Sequence, residues 1–281
     1  GVTIDNITID GTEIDLSSGT LTIDAASITL DASDSISTTT AGTNNVKLGA
    51  NAGNSIASGG NYNTLIGDEA GTAITTGDNN TLIGYVAGDA ISTSSANTAV
   101  GSFAMTSMTD GADNVAVGTS ALDIDTKGSH SVAIGRNALG SQNFTTATDS
   151  NNTAVGFEAG KAVTTGIKNT LIGGSSGDAI TTGSSNTAIG MQALGSDTLG
   201  SKSTAVGEAA LFTQNFTTAT DAFNVAVGVD AGVSVTTGVQ NTIIGSTAGD
   251  AITDADRNVA VGYDAMSANT IGSESVAVGA F

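Results

Sequence analysis

A five-residue pattern that closes on glycine recurs fourteen times in this chain, from Gly49 to Gly279. Each copy reads Asn or Ser, then Thr or Val, then Ala, Leu or Ile (Lys47 in the first copy alone), then Ile, Val or Leu, then Gly. The intervals between successive glycines are 18, 17, 17, 17, 17, 21, 17, 17, 17, 21, 17, 17 and 17 residues. A fixed period this short marks stacked units, none of which can bury its apolar side alone.

A second signal sits three residues after each glycine, where Ala recurs from Ala52 to Ala265 with Ser176 as the one substitute. The coils then divide into two kinds. In one, Gly follows the Ala and an Ile or Val comes three residues later, as in Ala70-Gly71-Thr72-Ala73-Ile74; in the other, Leu or Met follows, as in Ala193-Leu194. The two 21-residue intervals carry nearly the same insert, Gln142 to Asp149 and Gln214 to Asp221, 72 residues apart. Whole blocks of coils have therefore been duplicated. With 21 residues where 17 suffice and the next pentads intact, residues 140–151 and 212–223 are expected to bulge outward at one corner.

Each pentad alternates with period two and reads as a short strand. The fold class expected is all-β: a parallel β-roll or β-helix solenoid of about 14 coils of about 17 residues, with strands of adjacent coils in register at about 4.8 Å. Composition supports a narrow core. Hydrophobic residues make up 39% of the chain but aromatics only 4%, and Pro, Cys and Trp are absent. Asn ahead of each strand is expected to stack into a hydrogen-bonded ladder. The domain reading is a β-structured stem over 1–40, built on units such as Val2-Thr3-Ile4-Asp5, and the repeat domain over 41–281. The chain begins at Gly1 and stops in mid-repeat, so it reads as a piece of something longer.

If the second and fourth residues of each pentad point into the coil, the third points out. Those third residues are Leu65, Leu82, Ala99, Ala116, Ala133, Ala154, Leu171, Ala188, Ala205, Ala226, Ile243, Ala260 and Ala277. They would form an apolar stripe too large for a monomer to expose, and are the trimer-interface candidates of a parallel homotrimer. Phe144 and Phe216, one in each insert, are candidates for surface contact, with burial over the coil edge as the competing reading.

The pentads Ser131-Val132-Ala133-Ile134-Gly135, followed by Ala138, and Ser275-Val276-Ala277-Val278-Gly279 resemble the head repeat of YadA-like trimeric autotransporter adhesins. The variants Asn-Thr-Leu-Ile-Gly and Asn-Thr-Ala-Val-Gly, spaced by Ala-Gly-x-Ala-Ile-Thr-Thr-Gly, resemble tail-fibre proteins of tailed bacteriophages. The resemblance covers roughly residues 45–281. It implies a parallel β-roll with three chains side by side. A rival is the hexapeptide left-handed β-helix of acyltransferases, but only one hexad per coil, such as Ile66 to Gly71, fits it.

Chemistry is sparse. The formal net charge of −20, from 27 acidic and 7 basic residues, argues against nucleic acid and anionic membrane surfaces as partners. Zero Cys removes disulfides and thiolate metal sites. His130 is the only histidine and reads as a solvated turn residue. The acidic pairs Asp123/Asp125 and Asp110/Asp113 have the residue types of glycosidase carboxylates, but the aromatic platforms that sugar sites use are scarce. Asp5, Asp10 and Asp15 could attract cations loosely. No enzyme activity, cofactor or metal is expected. The functional expectation is a structural segment of a phage tail fibre, extracellular and part of the virion. It would be a stiff trimeric spacer between the virion and a receptor-binding tip, with partners among its own copies, other fibre or virion proteins and a host surface receptor. The alternative is the head of a bacterial surface adhesin; a hexapeptide-repeat acyltransferase is a third reading.

Overall fold

The computed structural model describes residues 42–280; the stem expected over 1–40 lies outside them. Fourteen three-residue strands, from Val46–Leu48 to Val276–Val278, form one sheet in sequence order. All are parallel and in register, so that Thr81 faces Thr98, Leu82 faces Ala99 and Ile83 faces Val100. No helix occurs among the described residues.

The rest of each coil repeats as faithfully as the strand. Backbone bonds link coil to coil around the perimeter, as in Gly71 N to Ala87 O (2.9 Å), Thr75 N to Ser92 O (2.9 Å) and Asn79 N to Asn61 O (3.0 Å). Corners come from three left-handed positions per coil: the second residue after the pentad glycine (Glu69, φ 59°), the fourth (Gly71, φ 59°) and the residue before the next pentad (Asn79, φ 59°). The pentad glycine itself has φ near 135°, where side chains are excluded. A Cβ on Gly101 would also meet the carbonyl oxygen of Gly118 at 2.5 Å. Coils cannot stack this closely with any other residue at that corner.

The Asn ladder forms inside the coil. Asn80 N–H donates to Asn63 Oδ1 (2.9 Å) and Asn97 N–H to Asn80 Oδ1 (3.0 Å). The Asn63 amide donates to Gly77 O (2.8 Å), tying the strand to the return turn. A buried amide needs partners on both sides, and these sit within the coil. The first residue of the pentad therefore points inward, and strand alternation carries the third residue in with it.

This reverses the orientation expected from sequence. Twelve of the third-position residues, from Leu65 to Ala260, are buried at 0% exposure within a single chain, and Ala277 is partly buried against the same core. They form the solenoid's own core. A carboxylate at Leu82 or Leu171 would report on folding, not on assembly. The second and fourth residues face outward instead.

The core also explains the two kinds of coil. Where the third residue is Leu or Ile (Leu65, Leu82, Leu171, Ile243), the residue after the Ala, or after Ser176 in its place, is Gly (Gly71, Gly88, Gly177, Gly249). Where that later residue is Leu or Met (Met105, Leu122, Leu139, Leu194, Leu211, Met266), the third is Ala. A Cβ on Gly88 would lie 2.8 Å from Leu82 Cδ2 and 2.9 Å from Ile91 Cδ1, so the cross-section holds one large residue at these two positions. Ala154 and Ala226 pair with Gly160 and Gly232, and large residues of adjacent coils close the gap: Leu139 and Leu171 around Gly160, Leu211 and Ile243 around Gly232.

Leu82→Ala should cost about 2–5 kcal/mol of stability, the usual range for a buried Leu truncation. The triple change Leu82→Ala/Gly88→Met/Ile91→Met, which copies Ala99, Met105 and Met108 of the next coil, should recover most of that loss. Denaturant unfolding of the three chains checks both statements.

Candidate interaction surface

With the third residues inside, the outer face of the sheet presents two columns, the second and fourth pentad residues. Across all fourteen strands these are Thr, Val, Ile and Leu only, with no charge. Ile134, Ile172, Ile189, Val227 and Ile244 are each 36–40% exposed in the single chain. The residue after the pentad glycine extends the apolar surface at several levels, with Tyr85, Phe157, Met191, Val229 and Tyr263 about half exposed. Tyr85 stacks edge-on with Phe103 at 5.4 Å, and the Arg136 guanidinium lies 5.6 Å above the Phe157 ring.

Thirteen inter-strand steps of about 4.8 Å and a width of four residues at about 3.3 Å give this face roughly 800 Å². Its fourth-position column is Leu, Ile or Val at every level, whereas eight of the fourteen second-position residues are Thr, so an apolar stripe beside a Thr-rich one runs the length of the sheet. The whole face equals what one partner contributes to a protein interface of standard size, about 800 Å². Aromatic residues, Met and Arg around an uncharged centre are the composition of such an interface.

The remaining candidates lie elsewhere. Phe144 and Phe216 are 6% and 5% exposed. They are covered by the coil rather than presented as a contact ridge. Each insert instead bulges at Thr145, Thr146 and Ala147, or Thr217, Thr218 and Ala219, which are exposed. The main sheet passes the inserts without a slip, with Val132 facing Thr153 and Thr204 facing Val225. The residues after the bulge rejoin the stack as two-residue ladders, Gly128–Ser129 with Thr148–Asp149 and Gly200–Ser201 with Thr220–Asp221. The outward bulge is thus narrower than the stretches 140–151 and 212–223.

The inserts rest on a buried polar network that the sequence reading did not find. Asp125 and Asp197, in the coils preceding the inserts, are fully buried. Asp197 accepts bonds from Gly200 N–H (2.9 Å), Phe216 N–H (3.3 Å) and the Gln214 amide (2.6 Å). Asp125 accepts from Gly128 N–H (3.1 Å), Phe144 N–H (3.0 Å) and the Gln142 amide (2.6 Å). At both levels Ser replaces the ladder Asn, and Gln supplies the missing amide: Gln142 donates to Ser131 Oγ (3.1 Å) and accepts from Asn152 (2.8 Å). The signal available in the sequence was the joint occurrence of Asp125, Ser131 and Gln142 and its repetition at Asp197, Ser203 and Gln214.

The acidic pairs do not converge. Asp125 points into the core while Asp123 accepts a bond from the Thr106 hydroxyl. Asp110 pairs with Lys127 (3.0 Å) and Asp113 with His130 (3.8 Å). His130 also reaches Asp149 at 3.2 Å, in an exposed turn. Among the described residues, no group of three or more His, Cys, Asp or Glu is placed to hold a metal ion. No helix there is long and apolar enough to cross a membrane. The positions Asp5, Asp10 and Asp15 lie outside the described residues.

No family model, no curated protein and no solved structure matches this chain.

Burial raises the Asp197 carboxyl above the ordinary aspartate range, against the opposing effect of the Gln214 amide and the backbone N–H groups that donate to it. A folded-state pKa above the unfolded one means that the stability linked to this group is full below the unfolded value, about 3.9. It is lost as pH rises through the folded value. Asp197→Asn should therefore flatten the fall in melting temperature between about pH 4 and neutral pH relative to the parent chain. Thermal melts of both chains across that range measure the difference.

Proposed function

We propose that this chain is a structural segment of a phage tail fibre, a stiff spacer that works as a parallel homotrimer between the virion and a receptor-binding tip. The observation that carries the reading is the uncharged outer face running the length of an in-register stack of fourteen strands. A solenoid whose backbone is bonded to its neighbours on all sides resists bending and leaves little loose backbone for proteases. Association buries the face that water would otherwise meet, and a net charge of −20 keeps the assembled surface from aggregating further. The repeat pattern shared with adhesin heads and tail fibres adds to this reading. The exposed aromatic Tyr62, just ahead of the second strand, favours the alternative, a bacterial adhesin head whose surface itself contacts a host.

Light scattering should give three times the chain mass of 27.2 kDa. Ile172→Asp combined with Ile189→Asp on the outer face should release monomers that remain folded, whereas Thr182→Asp on an exposed turn should not. A folded parent chain of monomer mass would overturn the trimer. Antibodies against residues 42–280 should label virion fibres under the first reading and intact bacterial cells under the alternative.

A further inference from the structure

The same four side chains meet twice inside the solenoid, at the two levels that carry the inserts. Ser203, Gln214, Asn224 and Asp197 are fully buried, as are Ser131, Gln142, Asn152 and Asp125. The Gln214 amide nitrogen lies 3.0 Å from Ser203 Oγ and 2.6 Å from Asp197 Oδ2, and its carbonyl oxygen accepts from the Asn224 amide at 2.8 Å. The Gln142 nitrogen lies 3.1 Å from Ser131 Oγ and 2.6 Å from Asp125 Oδ2, and its oxygen accepts from Asn152 at 2.8 Å. That oxygen is also 3.5 Å from Ser131 Oγ. With both amide heavy atoms this close to the hydroxyl, the amide carbon between them is within its reach.

Each group stands where acyl transfer requires it. A hydroxyl nucleophile faces an amide carbonyl. An Asn amide points at the carbonyl oxygen, where negative charge develops. A carboxyl lies on the nitrogen that would leave, the place of a general acid. Burial favours the protonated form of Asp197, the form that can donate.

We propose that Ser131 joins Gln142, and Ser203 joins Gln214, through self-formed ester crosslinks between their side chains. In each, the bond from Ser Oγ to Gln Cδ forms and the bond from Gln Cδ to Nε2 breaks. The Asp carboxyl protonates Nε2 as the tetrahedral intermediate collapses, the hydroxyl proton restores the carboxyl, and the nitrogen departs as ammonia. No oxidant, cofactor or water is consumed. An ester is weaker than the amide it replaces, and escape of ammonia into bulk water draws the exchange forward. Folding makes the step unimolecular, and effective molarities in such geometry reach about 10⁵–10⁸ M. The dry core then keeps water from the ester. Each bond ties the first residue of a pentad to the return turn beside a bulge. In ordinary coils the ladder Asn makes that tie by hydrogen bonding, as Asn63 does to Gly77 O at 2.8 Å. The inference needs only the fold of one chain and is independent of the fibre reading.

Mass spectrometry of the whole folded chain tests the bonds. The expected mass is that of the sequence less two molecules of ammonia. Ser203→Ala and Asp197→Asn should each keep the ammonia at the second level. Trypsin, cutting after Lys127, Arg136 and Lys161, should leave peptides 128–136 and 137–161 joined, and hydroxylamine, which cleaves esters, should separate them. Ser203 and Gln214 fall in one peptide, 203–257, which should be one ammonia light until hydroxylamine opens it. Each bond stands or falls by its own peptides, so the parent chain decides the outcome even if a variant fails to fold. A folded chain at its full sequence mass, or one in which Gln142 and Gln214 have become Glu, overturns the proposal. So does an ammonia loss that persists in Ser131→Ala/Ser203→Ala, since it would then come from another amide.

Discussion

Every feature of this solenoid depends on close stacking of one coil on the next. The backbone ladder runs around the perimeter and the Asn ladder reinforces it from inside, so a coil is held in register at many points. That closeness explains the glycine closing each pentad: the neighbouring carbonyl occupies the space where a Cβ would be, at 2.5 Å in the case of Gly101. It also explains the 17-residue period, since a coil of another length breaks the ladder unless the surplus is expelled, as it is at Thr145 to Ala147 and Thr217 to Ala219.

Within that frame the core is a one-dimensional packing problem. The cross-section admits one large aliphatic side chain per coil at two alternative positions, on the strand or after the Ala. The sequence switches between them without changing coil length. Interiors tolerate such exchanges when volume is conserved, and Gly160 and Gly232 show that adjacent coils share the filling. A narrow core of this kind needs Ala, Leu and Ile but no Trp, which accounts for the low aromatic content.

The insert coils and the coil before each follow a different rule. There the residue three positions after Leu is a buried Asp or Gln instead of an aliphatic group, and the lost apolar contact is offset by a fully hydrogen-bonded network. The carboxylates of Asp125 and Asp197 are held by backbone N–H donors and an amide, and neither belongs to an ion pair among the described residues. The network also turns Phe144 and Phe216 inward, because their own N–H groups are among the donors. An aromatic residue in a surface insert was thereby converted from a contact candidate into a lid over a buried polar group.

The period, the strand positions, the parallel register, the glycine corners and the Asn ladder were all legible in the sequence, because each follows from a residue type recurring at one spacing. Which face of the strand turns inward was not. Both faces of the pentad are apolar, as in Asn114-Val115-Ala116-Val117-Gly118, so alternation alone gives two orientations related by one step. The closed coil decides between them. The Asn amide must reach the carbonyls of the return turn, and only the interior offers them. The third residue, two positions along the same face, therefore enters the core, and Thr, Val and Ile are left on the outside. The outer face exists only once that choice is made, because it depends on which side chains the closed coil has room to enclose.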